Sequence, residues 1–413
     1  MGRVNSPKDG NTQNTIWVVT ELYYPELTST GYYLTTIAES LARDREVKVL
    51  TGQPTYSARG QSAPRREIRN GVEIIRAWGT RFDKNVLLFR LINMFTIAVS
   101  ILFKALVNFK MRDQVLVVTA PQILPVTTSL ASLLRGCSYT VLVHDSYPET
   151  LVAVGVLKAD SQFVTIVNFV NRWVYKHASR IIVMGGDMRN LFLKKTAGLD
   201  VEIVTIPNWA EVESVKPTAR ENNSLLKDLG LSNKLVFLFA GNLGHPIDLE
   251  TLVEVAERLL PRSEIHLIFL GSGVKRRWLE DQVSERSLTN VTLLPERPRS
   301  EQQDFLNACD VGVVSLIKGM RGVAMPSKTY NIMAAGKPIL ALAEPDSEVS
   351  HMIADEQMGW CIAPGNPDAL YATIAHIYEN REDLPSLGRK ARAAAESKYS
   401  LQTSIDAYRR TLD

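Results

Sequence analysis

The sequence lacks most of the features that would reveal a chemistry at once. It has three cysteines, Cys137, Cys309 and Cys361, far apart and without metal-ligand spacing. A disulfide framework and a zinc site are therefore not expected, and a reducing cytosol fits. The polar start from Gly2 to Thr15 has no apolar core of the secretory kind and reads as a loose tail. Neither sign of charge dominates: the net charge is +3, which gives no general case for nucleic acid as a partner. No complete G-x-G-x-x-G or Walker sequence occurs, so hydride transfer and P-loop kinase chemistry lack their fingerprints. No D-x-D-like cluster falls near a predicted strand end, and no metal or other cofactor is expected. Short-period repeats and low-complexity tracts are also missing.

What is present is an ordinary globular composition, 45% hydrophobic and 22% charged, over 413 residues. That length exceeds one compact core, so two domains are the default. Apolar strand-like runs alternate with helix-length segments. In the first half they are Thr15–Thr20, Glu46–Thr51, Val72–Ala77, Val115–Thr119, Tyr139–Val143, Arg180–Met184 and Glu202–Ile206. In the second they are Lys234–Ala240, Glu264–Leu270, Asn290–Leu294, Asp310–Val314, Pro338–Leu342 and Gly359–Ile362. Runs such as VLVV and LVFLFA suit parallel strands covered on both faces. The expected fold is α/β, with two doubly wound Rossmann-like domains facing across a cleft. The expected division is a tail at 1–14, a first domain at 15–209 and a second at 210–395, with a polar, Pro-containing linker from after Trp209 to Asn223. A C-terminal helix at about 396–413 could pack back on the first domain.

Charge is uneven along the chain. From Arg59 to Arg112 there are eleven Arg and Lys against three acids, a local +8. Within it, Val86–Val107 is nearly all apolar, and Arg90, Asn93, Thr96, Ser100 and Lys104 fall along one narrow helical stripe. Its charge-free core, Leu91 to Phe103, is 13 residues, too short to span a bilayer. Two readings stay open: a helix buried in the domain, or one that presents its apolar face to lipid while the basic block meets anionic headgroups.

Several segments could carry chemistry. The loop Glu21–Gly31 precedes a helical pattern from Tyr32. Gly31 would let a phosphate approach free helix amides, unless it only makes a turn. Two strands run into Gly241-Asn242 and into Gly271-Ser272-Gly273, each before a helix from about Ile247 or beyond. That is phosphate- or nucleotide-cradling geometry, or tight packing of strand on helix. In Gly319–Gly336, Pro326 fits a first helical turn. Ser327, Lys328 and the loop amides would then make a diphosphate site, and Asn331 could reach a ribose hydroxyl. The bland alternative for Lys328 is a surface lysine. His144-Asp145 follows a strand where functional loops lie. His144 could orient a sugar hydroxyl or take a proton, or be a structural hydrogen-bonding group.

Read in order, YYPELTSTG, VHDSYPETLVAVGVLK, RIIVMGGDMRNLF, IPNWAE, FAGNLGHPIDLETLVEVAERL, IFLGSGVKRRWLE and MPSKTYNIMAAGKPILA extend over almost the whole chain. In this combination the chain resembles a retaining glycosyltransferase of family 4, with the GT-B fold. It is most similar to bacterial polysaccharide transferases carrying D-x-Y/W-P-E, I-P-N-W and P-S-K motifs, among them fucosaminyltransferase-like enzymes acting on lipid-linked acceptors. The resemblance implies a sugar-nucleotide donor held mainly by the second domain and an acceptor held mainly by the first. It implies Gly31 near the donor phosphate, Gly241 and Asn242 along the nucleotide, and Lys328 on the diphosphate; Gly271, Gly273 and Asn331 are the nucleoside candidates. The family's E-x7-E acids are replaced by Val323 and Asn331. The Arg and Lys that many relatives place after the Asn242 position are also missing, and Arg321 with Lys328 could supply that charge.

The reaction this implies is retaining transfer from a nucleoside diphosphate sugar, uridine-linked, to a polyprenyl-diphosphate-linked saccharide in cell-surface polysaccharide synthesis. Attack on the same face would be assisted by the leaving phosphate, with His144 and Asp145 as catalytic or positioning candidates. The expected location is cytoplasmic, peripheral on the inner face of the plasma membrane. Two rivals stay open: a sugar-nucleotide epimerase or hydrolase without an acceptor, and a non-catalytic scaffold of polysaccharide assembly.

Overall fold

The computed structural model describes residues 14–26, 28–54, 62–83 and 86–412. The tail expected at 1–14 lies outside them except for its last residue, as do Arg59 and Lys84 of the basic block. The strands of the first half are β1 (Ile16–Val19), β2 (Val47–Thr51), β3 (Arg66–Arg69), β4 (Val72–Arg76), β5 (Gln114–Val118), β6 (Ser138–Leu142), β7 (Arg180–Val183) and β8 (Glu202–Thr205). Those of the second are β9 (Leu235–Ala240), β10 (Ile265–Leu270), β11 (Val291–Leu294), β12 (Val311–Ser315), β13 (Ile339–Leu342) and β14 (Gly359–Ile362). The sheet orders are β3-β4-β2-β1-β5-β6-β7-β8 and β11-β10-β9-β12-β13-β14. Both are doubly wound orders, and the fold is two Rossmann-like α/β domains of the GT-B class. The described residues form two compact units, one of those up to 142 with 177–180 and 412, the other of 143–176 and 181–411.

In the first half of the chain every expected strand forms, and β3 is added. It pairs antiparallel with β4, Arg69 opposite Val72. Asn70 and Gly71 between them have φ of 47° and 83°, the two positive values of a tight hairpin turn. Its sequence, Arg-Glu-Ile-Arg, is charged and lies at the sheet edge, so it lacks an apolar pattern. The first helix spans Ser29–Leu41, three residues earlier than expected, because Thr28 caps it by accepting from the Gly31 amide.

The helix Leu87–Asn108 has 22 residues, longer than its charge-free core suggested. By length and composition it is long enough to cross a membrane, and 28% of its apolar window is buried. Only part of the helix is buried. Two members of its polar stripe turn inward: Asn93 Oδ1 accepts from Thr80 Oγ1 at 2.8 Å and from the Phe82 amide at 3.0 Å, and Thr96 Oγ1 accepts from the Thr80 amide at 3.1 Å, while Arg90 of the same stripe is exposed. Ile97, Ala98, Ile101 and Ala105 are buried beside them, while Leu88, Phe89, Leu91, Phe95, Phe103 and Val107 are exposed. Its packing partner, the helix Leu124–Arg135, also exposes Leu130, Leu133 and Leu134.

In the second unit the six-stranded sheet is covered on both faces. Along β9, Val236 and Leu238 enter one apolar cluster, and Leu235, Phe237 and Phe239 enter the other. This is why the run LVFLFA has no polar alternation. Each such fully buried side chain contributes about 1.5–3 kcal/mol. The stretch read as a linker is packed. Trp209, Ala210 and Val215 are buried, the Ala210 amide donates to Tyr399 O at 2.7 Å, and Ser404 Oγ donates to Pro207 O at 3.0 Å.

Candidate functional site

β9 and β10 run parallel in register, Ala240 beside Leu270, so their two glycine turns emerge side by side. Gly241, Gly271 and Gly273 have φ of 147°, 148° and 148°, values that favour glycine. A Cβ on Gly271 would overlap Gly241 O, and one on Gly273 would stand 2.5 Å from Asn242 Oδ1 and 2.6 Å from Leu243 O. The Leu243 amide donates to Ser272 O at 2.8 Å. Backbone packing therefore explains Gly271 and Gly273 without a ligand. Gly241 differs, because the group over it is a side chain: a Cβ there would lie 3.3 Å from Lys328 Nζ.

Lys328 opens the helix Lys328–Ala334. Pro326, expected in its first turn, instead precedes Ser327 at the N-cap position, and its carbonyl accepts from the Thr329 amide at 3.1 Å. Lys328 as a whole is half-buried, but its Nζ is shielded from solvent and has no hydrogen-bond partner among the described residues. The ammonium sits over the Phe239 ring, 3.4 Å from its centroid. Burial pushes its pKa down to about 7, since a desolvated ammonium without an anion is unfavourable. A cation held over a glycine turn at the carboxyl ends of parallel strands is equipped to meet an anionic oxygen.

The segment leading to Lys328 also meets the loop after β6. Asp145 and Ala324 form an antiparallel bridge, and the Ser146 amide donates to Val323 O at 2.8 Å. His144 and Asp145 are half-buried. Burial lowers the His144 pKa to about 4 and raises that of Asp145 to about 6. At neutral pH the imidazole is uncharged and can accept or donate one hydrogen bond at each nitrogen.

The remaining candidates scatter. Asn242 is exposed beside its turn. Arg321 is exposed, with Nη1 3.8 Å from Asp346 Oδ2. Asn331 is buried, and its Oδ1 accepts from the Glu211 amide at 3.4 Å, so it ties helix Lys328–Ala334 to the IPNWAE segment. Gly31 belongs to the first unit. Its amide donates to Thr28 Oγ1 at 3.2 Å, and a Cβ would stand 3.0 Å from Glu26 O. Close packing suffices to explain that glycine. Among the described residues no three His, Cys, Asp or Glu side chains gather as metal ligands would.

Two family profiles match the chain, "Glycosyl transferase 4-like domain" over residues 29–209 and "Glycosyl transferases group 1" over residues 222–394. A relative from Pseudomonas aeruginosa, "Probable glycosyltransferase WbjE", is 34% identical over 400 residues, covering 95% of this chain and 96% of the relative. The chain belongs to the glycosyltransferases. A second relative of this transferase, from Escherichia coli (strain K12), is named "Putative colanic acid biosynthesis glycosyl transferase WcaI". It is 24% identical over 364 residues, covering 85% of this chain and 89% of its own. The transferase also shares its fold with Anabaena Alr3699/HepE solved in complex with UDP-glucose. There the TM-score is 0.72 at 16% identity, with 97% and 99% of the two chains covered.

The structure also brings residues to Lys328 and its loop that the sequence did not single out. Phe239 looked like one more core aromatic, and nothing in its spacing marks the cation above it. Asp187 of the MGGDM segment accepts from the amides of Gly322 and Glu348, both at 2.9 Å, and Glu348 Oε2 accepts from the Gly186 amide at 2.6 Å. Glu344 accepts from the Gly319 and Arg321 amides at 2.8 and 3.0 Å. These carboxylates brace the loop that runs into Lys328. Their visible signal was only that Asp187 lies in a family-like string.

Proposed function

We propose that this transferase moves a glycosyl group, with retention, from a uridine diphosphate sugar to a polyprenyl-diphosphate-linked saccharide during cell-surface polysaccharide assembly. One observation carries the donor half of this reading: the shielded Lys328 ammonium, without a hydrogen-bond partner among the described residues, over the Gly241 turn. A donor diphosphate would supply the anion it lacks. As the sugar–oxygen bond breaks, negative charge grows on the leaving phosphate, and a fixed cation in a desolvated site stabilises that charge more than it does in water. No metal is required for this, because the ammonium and loop amides take that role. Neutral His144 would hold an acceptor or donor hydroxyl, and Asp145 would lie beside it. The HepE complex with UDP-glucose, on the same fold, supports a uridine nucleotide, and the relative named for colanic acid biosynthesis supports a polysaccharide product.

The acceptor half rests on the first unit. The helix Leu87–Asn108 turns Asn93 and Thr96 inward and leaves Leu88, Phe89, Leu91, Phe95, Phe103 and Val107 exposed, with Arg65, Arg81, Arg90, Lys110 and Arg112 exposed in the same stretch. Apolar groups with surrounding cations suit the interface of an anionic membrane. A lipid-linked acceptor would be met there, with the enzyme peripheral on the cytoplasmic face. An epimerase acting on free donor would have no use for such a face. A thermal-shift screen of sugar nucleotides tests the donor: the true one raises the melting temperature because it binds only the folded state. No shift with any uridine sugar would refute the donor assignment.

A further inference from the structure

The loop that carries His144 and Asp145 is held on its far side by an arrangement the reaction does not otherwise need. Glu149 opens the helix Glu149–Ala153. One of its carboxylate oxygens accepts from Ser146 Oγ at 2.8 Å, and the other from Lys195 Nζ at 2.5 Å. Lys195, the last residue of the helix Gly186–Lys195, also donates to Tyr147 O at 3.2 Å. A third element converges on the same carbonyl: Asn171 Nδ2, from the helix Gln162–His177, donates to Tyr147 O at 2.8 Å. Lys195 is 11% exposed and Glu149 25%. Burial lowers the Lys195 pKa and outweighs Glu149, which raises it. On its near side the loop is bonded at Asp145 and Ser146 to Val323-Ala324, four residues before Lys328.

We infer that Glu149 and Lys195 are a positioning pair, which fixes the loop from His144 to Tyr147 against the segment that ends in Lys328 and so sets turnover without touching the donor. The inference rests on reading His144 and Asp145 as reaction-site residues. Nothing in it requires the pair to bind substrate.

The test follows the His144 imidazole directly by proton NMR, its signal assigned by its loss in His144→Gln. In the wild type it should titrate near 4. In Glu149→Gln and in Lys195→Met the loop should loosen and water reach the ring, and the titration should move toward the ordinary 6.5. Lys195→Arg should keep the wild-type value. UDP binding by calorimetry should change less than twofold in all of them, while turnover of the donor found by the screen falls tenfold or more in the first two. If both charge-removing variants melt like the wild type and His144 titrates unchanged, the pair positions nothing. If they do not fold, Glu149→Asp decides, since it keeps the charge but shortens the reach: an unchanged His144 there overturns the inference, and a raised one supports it. A raised His144 with undiminished turnover would overturn the claim that the pair sets turnover and would also remove His144 from the reaction.

Discussion

Lys328 Nζ and the Phe239 ring are in face contact, 3.4 Å from atom to centroid, and this pairing replaces the anion that a buried ammonium would otherwise demand. A cation–π contact of this kind is worth about 2 kcal/mol when desolvated, less than a charge-assisted bond to phosphate offers. On the proposed reading, a donor diphosphate would displace this contact.

Proton linkage follows from it. With its pKa lowered to about 7, Lys328 is largely neutral in the free enzyme above that value, and a bound diphosphate would raise it again. UDP binding should therefore take up close to one proton between roughly pH 8 and 9, and affinity should fall as pH rises through that range. Below pH 7 this contribution levels off. Calorimetry in buffers of different ionisation enthalpy measures the uptake, and its absence at pH 8 would mean Lys328 does not meet the phosphate. The same group works the other way on the free enzyme. The unfolded chain binds the proton more tightly, so its contribution to stability grows as pH rises from about 7 toward the ordinary lysine value.

The glycine turns separate packing from ligand approach. Gly271→Ala puts a methyl on Gly241 O at a strained φ, and should cost about 3 kcal/mol or more in urea unfolding. Gly365→Ala, at φ 71° with open space around it, should cost only about 1–2 kcal/mol. Equal losses would show that the turn at Gly271 relaxes freely.

Legibility in the sequence followed what each element depends on. Covered parallel strands were readable because apolar runs of fixed length have few other uses, and all thirteen expected strands form. β3 was not, because an edge strand of Arg-Glu-Ile-Arg has its signal in the Asn70-Gly71 turn and not in hydropathy. Pro-Ser-Lys pointed to Lys328 as a candidate phosphate ligand, but its contact with Phe239 depends on β9 and the helix after Pro326 meeting in space. The inward turn of Asn93 and Thr96 on Leu87–Asn108 could not be read either: the two look solvent-facing until Thr80 and Phe82 are seen to supply their partners. Asn331, expected at a ribose, is bonded to the Glu211 amide for the same reason of long-range placement.

His144 should behave as a neutral group throughout the working range. His144→Ala is expected to lower turnover roughly 100-fold or more, the scale of a lost acid, base or orienting group, with UDP affinity and melting temperature unchanged. Turnover should show no step near pH 6.5 from this residue, because its titration lies near 4. A variant that loses its fold would show His144 to be structural.

Membrane docking rests on exposed cations beside an exposed apolar helix. Each well-placed basic residue contributes about 1 kcal/mol near an anionic surface. Reversing Arg65, Arg81 and Arg90 to Glu should sharply reduce co-sedimentation with anionic vesicles and leave neutral vesicles little affected. Arg66 and Arg69 are poorer choices, being paired with Glu73 and Glu39. High salt should mimic the reversal. Wild-type protein that ignores anionic vesicles at low salt would remove the lipid surface from the account.

The central claim is that Lys328 binds the donor diphosphate, and the most direct measurement is calorimetry of UDP and of uridine against wild type and Lys328→Met. The substitution keeps the side chain's bulk over Phe239 and Gly241 and removes only the ammonium. UDP binding should weaken by about 1.5–3 kcal/mol, the range for a hydrogen bond to a charged group, while uridine binding stays within the error of the wild type. Equal weakening of both ligands, or of neither, would contradict the assignment.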